Sequence, residues 1–320
     1  MSKYILKRIL QAIPLLLIIS LIVFFLIQLA PYDVIDSLIT PNMSEEMIEL
    51  LRGRYGLDQP FIIRYFNWLQ NALRGDFGNS LTTGVPISQE LGIRIPNTIR
   101  LVVPAYLTAL ILAITFGMIA GANKNKFLDK IIDGFCSFSI ATPTFWVAML
   151  LIYFFGLRLN WFPILGMYTV GQTQDFADYL RHFILPFTTL TLAFFPSLTR
   201  YIRMSTIKQV DEDYVLIQKS FHATKWEIFS RHISRNILIP IVTQIGLALP
   251  MLVTGAVITE SIFSWQGVGP YLMHAARTMD YPVIMALMLL SASLVILGNL
   301  LSDVLYFLVD PRIKKEISSQ

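Results

Sequence analysis

Residues 9–32 read ILQAIPLLLIISLIVFFLIQLAPY and contain no charged side chain. An α-helix needs about 20 mainly apolar residues to cross the hydrocarbon core of a bilayer, so this run predicts a transmembrane helix. Lys3, Lys7 and Arg8 precede it, as basic residues precede the core of a secretory signal peptide. The run is too long for such a core, and residues 28–31 form a poor cleavage site. We therefore interpret it as an uncleaved first span.

Further uncharged runs of similar length follow along the chain. They are residues 101–123, 134–157, 183–199, 236–259 and 281–302. The run at 183–199 is the weakest, because it is short and contains Pro186 and Pro196; its helix could continue past Arg200. The sequence therefore predicts an all-α, polytopic membrane protein with six transmembrane helices.

The overall composition agrees with a membrane protein. The 320 residues are 55% hydrophobic and 14% charged, whereas soluble domains average about 25% charged residues. A soluble fold of this size would lack the polar side chains to cover its surface, and a chain this apolar does not stay disordered. The single cysteine, Cys136, excludes a disulfide framework and a cysteine-rich metal site.

The distribution of charge predicts the orientation. With the N-terminus in the cytoplasm, the inside segments 1–8, 124–133, 200–235 and 303–320 carry net charge +7, and the outside segments carry −3, which together give the chain's +4. All ten lysines fall inside. The positive-inside rule then places both termini in the cytoplasm. The basic pI of about 9.1 thus reflects topology rather than binding of nucleic acid.

We divide the chain at the predicted spans. The parts are an N-terminal tail and first transmembrane helix (1–32), an extracytoplasmic segment with short helices (33–100), a five-helix transmembrane core (101–310) that includes a cytoplasmic loop (204–235), and a cytoplasmic tail (311–320).

The extracytoplasmic segment shows one clear helical pattern at residues 61–73. Its predicted apolar face is Ile62, Tyr65, Phe66, Leu69 and Leu73. Residues 85–95 predict a second short helix that ends before Pro96. Either a cap packed on the ends of the spans or a docking platform for an external partner fits this segment.

The cytoplasmic loop carries an acidic cluster at residues 211–213. Carboxylates favour helix N-termini, so the cluster indicates the start of a helix rather than a metal site. Residues 214–229 are amphipathic and contain no Gly or Pro, which predicts a helix that either lies on the membrane or docks into a partner's groove; its short length and mixed charge favour docking.

Several catalytic patterns are missing from the sequence. No P-loop, Gly-x-Ser-x-Gly or His-Glu-x-x-His motif occurs. The apolar runs hold essentially no ionisable groups, which argues against an intramembrane enzyme and against a secondary carrier. We predict a non-catalytic pore without a metal site, whose energy source lies on another subunit. The pair Gly267 and Gly269 indicates close backbone packing in an outside turn.

Short motifs occur in a characteristic order from end to end of the chain. They are residues 7–10 and 27–31, RYGLDQP at 54–60, Arg64-Tyr65, Trp68-Leu69, GDFGNS at 75–80, Pro96-Asn97-Thr98, FSWQGVG at 263–269, Asp280-Tyr281-Pro282 and Asp310-Pro311-Arg312. Together they resemble the dipeptide/oligopeptide/nickel family of ABC-transporter permeases. Tyr32 and Val34 depart from the Gly and Pro that are usual around Asp33.

The resemblance implies a type I ABC importer permease core in a bacterial inner (cytoplasmic) membrane. The implied partners are a second homologous permease subunit, two ABC ATPase subunits, an extracytoplasmic substrate-binding protein and the lipid bilayer, without nucleic acid. ATP and Mg would bind the ATPase subunits, and this chain would hold no cofactor. The cargo would be peptides or metal complexes, such as nickel, cobalt or an opine-type metallophore. A polytopic membrane enzyme and a secondary carrier are the alternatives.

The resemblance also implies two groups of site residues, while the substrate-binding residues stay unassigned. The ATPase-coupling group is Asp213, Tyr214, Lys219, Ser220, Phe221, His222, Thr224 and Trp226. The group at the outer gate, facing the binding protein, is Trp68, Asp76, Trp265, Gln266, Gly267, Gly269 and Asp280. In the coupling motif, Gln218 and Ser220 replace the usual alanines and His222 replaces the usual glycine.

Overall fold

A computed structural model describes residues 2–29, 39, 42–54, 57–171, 175–248 and 256–309. The helices are α1 (Ser2–Gln28), α2 (Glu45–Arg54), α3 (Phe61–Leu73), α4 (Ile87–Ala122), α5 (Phe127–Ala141), α6 (Thr144–Leu151), α7 (Phe176–Val210), α8 (Asp213–Ser220), α9 (Lys225–Glu227), α10 (Ser234–Ala248), α11 (Val257–Ile262), α12 (Val268–Thr278) and α13 (Tyr281–Val309). Two π-helical segments, Ile152–Arg158 and Ile228–Ile233, continue α6 and α9. Within these ranges the only strand-like pairing is an isolated bridge between Asn79 and Pro86.

The predicted all-α membrane fold is confirmed. In the described part of the chain, four helices are long and apolar enough to cross a membrane: α1, α4, α7 and α13. A fifth span is formed if α5 and Thr144–Arg158, which meet at an angle of 97°, cross together. The predicted run 236–259 begins in α10 and continues through residues 249–255, which lie outside the described ranges. Six spans are consistent with this arrangement.

The centre of the fold is the close packing of α4 against α7. Small residues recur every four positions along α4, at Ala105, Ala109, Ala113, Gly117 and Gly121, and all are buried. A Cβ added at Gly117 would lie 2.9 Å from the Cβ of Ile202, and one at Gly121 would lie 2.6 Å from that of Thr206. Small residues let helix backbones approach closely in membranes, where packing rather than hydrophobicity drives association.

Buried charges connect the ends of α5 and α7 that lie beside the 204–235 loop. Arg203 donates to Asp129 from two guanidinium nitrogens, with Nη2 2.8 Å from Oδ2. The Asn125 backbone N–H donates to the same carboxylate at 2.8 Å. Paired in this way, Asp129 is almost fully buried, which holds α5 in a fixed position relative to α7.

The helix at 61–73 has the predicted bounds, but of the predicted apolar face only Tyr65 and Leu69 pack against α1. Ile62, Phe66 and Leu73 are exposed, and α3 instead packs Phe61, Tyr65 and nearby residues on Phe24 of α1. The Tyr65 hydroxyl also lies 2.8 Å from the hydroxyl of Ser20. Contact with α1 therefore selects the face.

The separate helix predicted at 85–95 was also wrong, because α4 begins at Ile87 and runs through Pro96 without a break. Pro96 lacks an N–H and leaves the Gly92 carbonyl without its helical donor. Gly92 is exposed, so water can satisfy this carbonyl. The weak run at 183–199 does extend past Arg200, to Val210.

Candidate functional site

The segment predicted to be cytoplasmic and to couple to an ATPase forms a helix–turn–helix. Helix α8 ends in a Schellman motif, in which the Ala223 N–H donates to the Gln218 carbonyl at 3.1 Å and the His222 N–H to the Lys219 carbonyl at 3.0 Å. The single helix predicted for 214–229 was therefore wrong. The chain turns at residues 221–224, although no Gly or Pro marks the position.

His222 occupies the left-handed position of this motif, with φ +57°. Glycine is the usual residue there, because a left-handed backbone brings the Cβ of any other residue close to the following carbonyl. This gives a physical reason for the glycine that the family resemblance implies at the position of His222. The side chain is exposed, so the turn forms here without packing the imidazole.

The second half of the segment starts with a capping box. The Thr224 N–H and hydroxyl both donate to Glu227 Oε2 at 2.9 Å, and the Glu227 N–H donates to the Thr224 hydroxyl at 3.2 Å. These donors favour the charged carboxylate, the backbone N–H most strongly, and they lower the pKa of Glu227 below its ordinary value.

One glutamine fixes the segment to the transmembrane helices. Gln209, near the end of α7, accepts at Oε1 from the Tyr214 hydroxyl of α8 and from the Asn236 amide of α10, each at 3.0 Å. Val215 and Ile228 are buried in the same cluster as α4 and α7 core residues. A displacement of α8 would therefore be passed to both α7 and α10.

The tip of the segment presents two large side chains to solvent. Phe221 is 79% exposed and Trp226 is 78% exposed. Asp213 begins α8, and Ser220 ends it with its hydroxyl bonded to the Leu216 carbonyl at 3.1 Å. The structure thus brings the predicted coupling residues into one hairpin, of which Tyr214 is the half-buried anchor.

The predicted outer-gate residues form a second, mostly buried site. The Trp265 side chain is 0% exposed, and its indole N–H donates to the Asn97 carbonyl at 2.9 Å. The Asn97 amide donates to the Gln266 carbonyl, and the Val268 N–H donates to the Thr98 hydroxyl, each at 2.9 Å. The turn between α11 and α12 is thereby attached to α4.

The two glycines of this turn make room for a buried carboxylate. Glu260 is 0% exposed, and its Oε2 accepts from the Gly269 N–H at 2.8 Å. A Cβ at Gly269 would lie 2.8 Å from the same oxygen, and one at Gly267 would overlap it. The expected close backbone packing is therefore packing against Glu260 and Thr98.

Asp280 connects the turn between α12 and α13 to the extracytoplasmic segment. Its carboxylate accepts from the Ser80 hydroxyl at 2.6 Å, the Leu81 N–H at 3.2 Å and the Thr82 hydroxyl at 3.1 Å. Asp280 is 1% exposed. Residues 200 positions apart in the sequence are thus held together by one carboxylate.

The remaining outer-gate residues lie apart from this centre. Trp68 is half-buried against Phe24, with ring centroids 5.7 Å apart. Asp76 is exposed and accepts from the Gly78 N–H at 2.9 Å. Of the seven predicted residues, only Asp76 and Gln266 are exposed. These two side chains are therefore the ones that an external partner could contact directly.

Sequence reasoning missed Glu260, Gln209 and the Asp129–Arg203 pair. Glu260 follows directly after an apolar run, and this position was the one local feature of the sequence that could have indicated a buried carboxylate. Gln209 and Asp129 have no local signal, because their partners come from distant elements. Among the described residues, no three His, Cys, Asp or Glu side chains lie close enough to share a metal ion.

The fold and the two sites define a multi-pass helical membrane protein with a protruding loop hairpin and a tightly bonded turn at the other end. Residues 113–315 match the family described as binding-protein-dependent transport system inner membrane component, and residues 1–102 match its N-terminal family. The chain belongs to this family of ABC importer permeases. Membership makes it a non-catalytic transport subunit of the bacterial inner membrane, in a complex with ATPase and binding-protein partners.

The relatives match nearly the whole length of the chain. The oligopeptide transport system permease protein AppB of Bacillus subtilis is 35% identical over 315 residues, which cover 98% of this chain and 100% of AppB. A putative peptide permease of Brucella suis is 35% identical over 317 residues, covering 98% and 99%. The glutathione transport system permease protein GsiC of Escherichia coli K12 is 33% identical over 314 residues, with the same coverage.

Proposed function

We propose that this chain is the permease subunit of an ATP-driven importer of peptides, and that residues 213–226 dock onto an ATPase subunit. The observation that carries the docking assignment is the exposure of Phe221 and Trp226 on a hairpin held by a Schellman motif and a capping box. Exposed aromatic side chains on a rigid frame are typical anchors of protein interfaces.

The contacts of the hairpin support a mechanism for coupling. Closure of two ATPase subunits around ATP and Mg would displace α8, and Gln209 would pass the displacement to α7 and α10. Because α4 packs closely on α7, it would move with α7. A second homologous permease would complete the pore, and α4 and α7 here would switch it between inward and outward access.

Peptides are the cargo class that the relatives favour, since their names refer to oligopeptides, peptides and glutathione. The partner binding protein is the place to test this assignment. Its affinity for di- to oligopeptides, glutathione and nickel chelates should be measured by calorimetry. Binding of peptides or glutathione supports the proposal, whereas binding of only the nickel chelates contradicts it.

The docking assignment is tested by the double substitution Phe221→Ala and Trp226→Ala in the complete transporter. Each anchor at an interface is worth about 2 kcal/mol or more, so co-purification of the ATPase should fall at least tenfold. Phe66→Ala is the matched control, because Phe66 is also an exposed aromatic residue (61%) but lies on the extracytoplasmic α3. Unchanged ATPase recovery in the double variant would contradict docking.

A further inference from the structure

A groove opens between α1 and α13 in the half of the membrane nearer the N-terminus. Its volume is about 370 Å³. Toward the other side of the membrane, beyond the groove, the two helices meet in the cluster of Phe24, Tyr65 and Met285. At its N-terminal end lies the ion pair of Arg8 and Asp303, with Arg8 Nε 3.1 Å from Asp303 Oδ2. The groove is thus a gap between two helices that meet above and below it.

The length of the groove matches one leaflet of a bilayer. On α1 its lining extends from Arg8 to Leu16, which is about 12 Å at 1.5 Å per residue. Half of a hydrocarbon core of roughly 30 Å is about 15 Å. The part of the lining nearer the centre of the membrane is aliphatic and includes Leu15, Leu16 and Ile296. An acyl chain requires such a surface.

The end of the groove nearer Arg8 carries two side-chain amides that have no hydrogen-bond partner in the described part of the chain. Gln11 on α1 and Asn299 on α13 both line the groove, and neither side chain forms a hydrogen bond within the described ranges of the chain. Each lies about one helical turn deeper than the charged residue beside it, Arg8 or Asp303. An amide that faces hydrocarbon without a partner is costly, so this pair indicates a ligand with hydrogen-bond acceptors at that depth.

The charge at the mouth of the groove is positive. Lys3, Lys7 and Arg8 lie in the first two turns of α1, and within the described ranges Arg8 forms an ion pair with Asp303. Basic residues beside a transmembrane helix attract anionic lipid headgroups. Along the groove, basic residues that suit a phosphate are followed by amides that suit ester carbonyls and then by aliphatic side chains that suit an acyl chain. A phospholipid presents its groups in the same order.

We propose that this groove binds one anionic glycerophospholipid of the adjacent leaflet. Its phosphodiester lies near Arg8, its ester carbonyls accept from the amides of Gln11 and Asn299, and one acyl chain lies along Leu15 and Ile296. The site is independent of the docking of an ATPase and of the identity of the cargo.

The test uses the complete transporter in nanodiscs of phosphatidylethanolamine with phosphatidylglycerol as a minor component. Phosphatidylglycerol that stays with the protein through detergent washing is quantified by mass spectrometry. The double variant Gln11→Leu and Asn299→Leu should retain about tenfold less phosphatidylglycerol, because two hydrogen bonds to the lipid are lost. Gln28→Leu is the matched control at the other end of α1 and should retain the parental amount.

A second variant fills the groove rather than removing its polar groups. Ala12→Phe, on the groove wall, should also release the lipid, whereas Ile18→Phe, exposed on α1 outside the groove, should not. Equal phosphatidylglycerol in variants and controls overturns the proposal, as does equal enrichment of phosphatidylethanolamine. ATPase recovery is measured in the same samples, so a failure of the lipid site is distinguished from a failure of the proposed transport function.

Discussion

His222 shows how one residue can form a turn for which a glycine is better suited. Its φ of +57° costs a residue with a Cβ about 1 kcal/mol relative to glycine. A Schellman motif and a capping box surround it, and these hydrogen bonds offset the cost. The sequence shows only that a histidine replaces glycine, and the structure shows that the turn is kept.

We predict that His222→Gly stabilises the hairpin by about 1 kcal/mol, because the left-handed backbone costs glycine little. Slower hydrogen exchange of the α8 amides would show this gain. His222→Val should have the opposite effect, since β-branched residues are disfavoured at positive φ. Equal exchange rates in the two variants would contradict the conformational explanation.

A second prediction at the residue scale concerns Gly269. A Cβ there would lie 2.5 Å from the Val257 Cα and 2.8 Å from Glu260 Oε2. Gly269→Ala should therefore destabilise the turn by about 1–3 kcal/mol, the usual cost of overpacking. Gly92→Ala is the control, because nothing lies within 4 Å of its added Cβ and alanine favours a helix. Thermal unfolding of the purified protein in detergent distinguishes the two effects.

At the scale of elements, local patterns predict where helices lie better than what they contact. Apolar periodicity gave the bounds of α3, but its face was chosen by Phe24 and Ser20 of α1. The 97° break between α5 and α6 lies at Thr142-Pro143 inside one uninterrupted apolar run. A hydropathy profile does not show such a bend. The buried carboxylates of Glu260 and Asp280 likewise have hydrogen-bond partners that no local sequence pattern shows.

The capping box makes a prediction about pH. Because the pKa of Glu227 is lowered in the folded protein, its contribution is fully present above the unfolded value of about 4.3. The contribution is lost as pH falls through the lower folded value. The protection factors of the residue 225–233 amides, which are exchange rates corrected for the intrinsic pH dependence of exchange, should therefore fall at acidic pH in the parent protein. Glu227→Gln should remove most of this dependence.

A further prediction at the scale of elements concerns Gln209, because its side chain joins three helices. Gln209→Leu removes the shared acceptor of Tyr214 and Asn236 while keeping the side-chain volume. We expect transport to fall several-fold with ATPase recovery largely unchanged, since Phe221 and Trp226 keep their exposure. Parallel measurement of uptake and co-purification checks this, and an equal loss of both would refute a role in transmission.

At the scale of the whole molecule, charge predicts an orientation that the fold alone does not show. All ten lysines fall in the segments assigned to the cytoplasm. An amine-reactive reagent that cannot cross membranes should therefore leave every lysine unmodified in intact cells, and should modify Lys124 and Lys219 after lysis. Peptide mass spectrometry gives the readout, and labelling of either lysine in intact cells would reverse the proposed topology.

The central claim is that the hairpin at 213–226 is the contact with the ATPase. A photo-reactive residue at position 221, in place of Phe221, tests this contact most directly in the assembled transporter. We predict a cross-link to the ATPase subunit, and none to that subunit when the photo-reactive residue replaces Phe66. A cross-link from position 221 to the binding protein, or to lipid alone, would contradict the account.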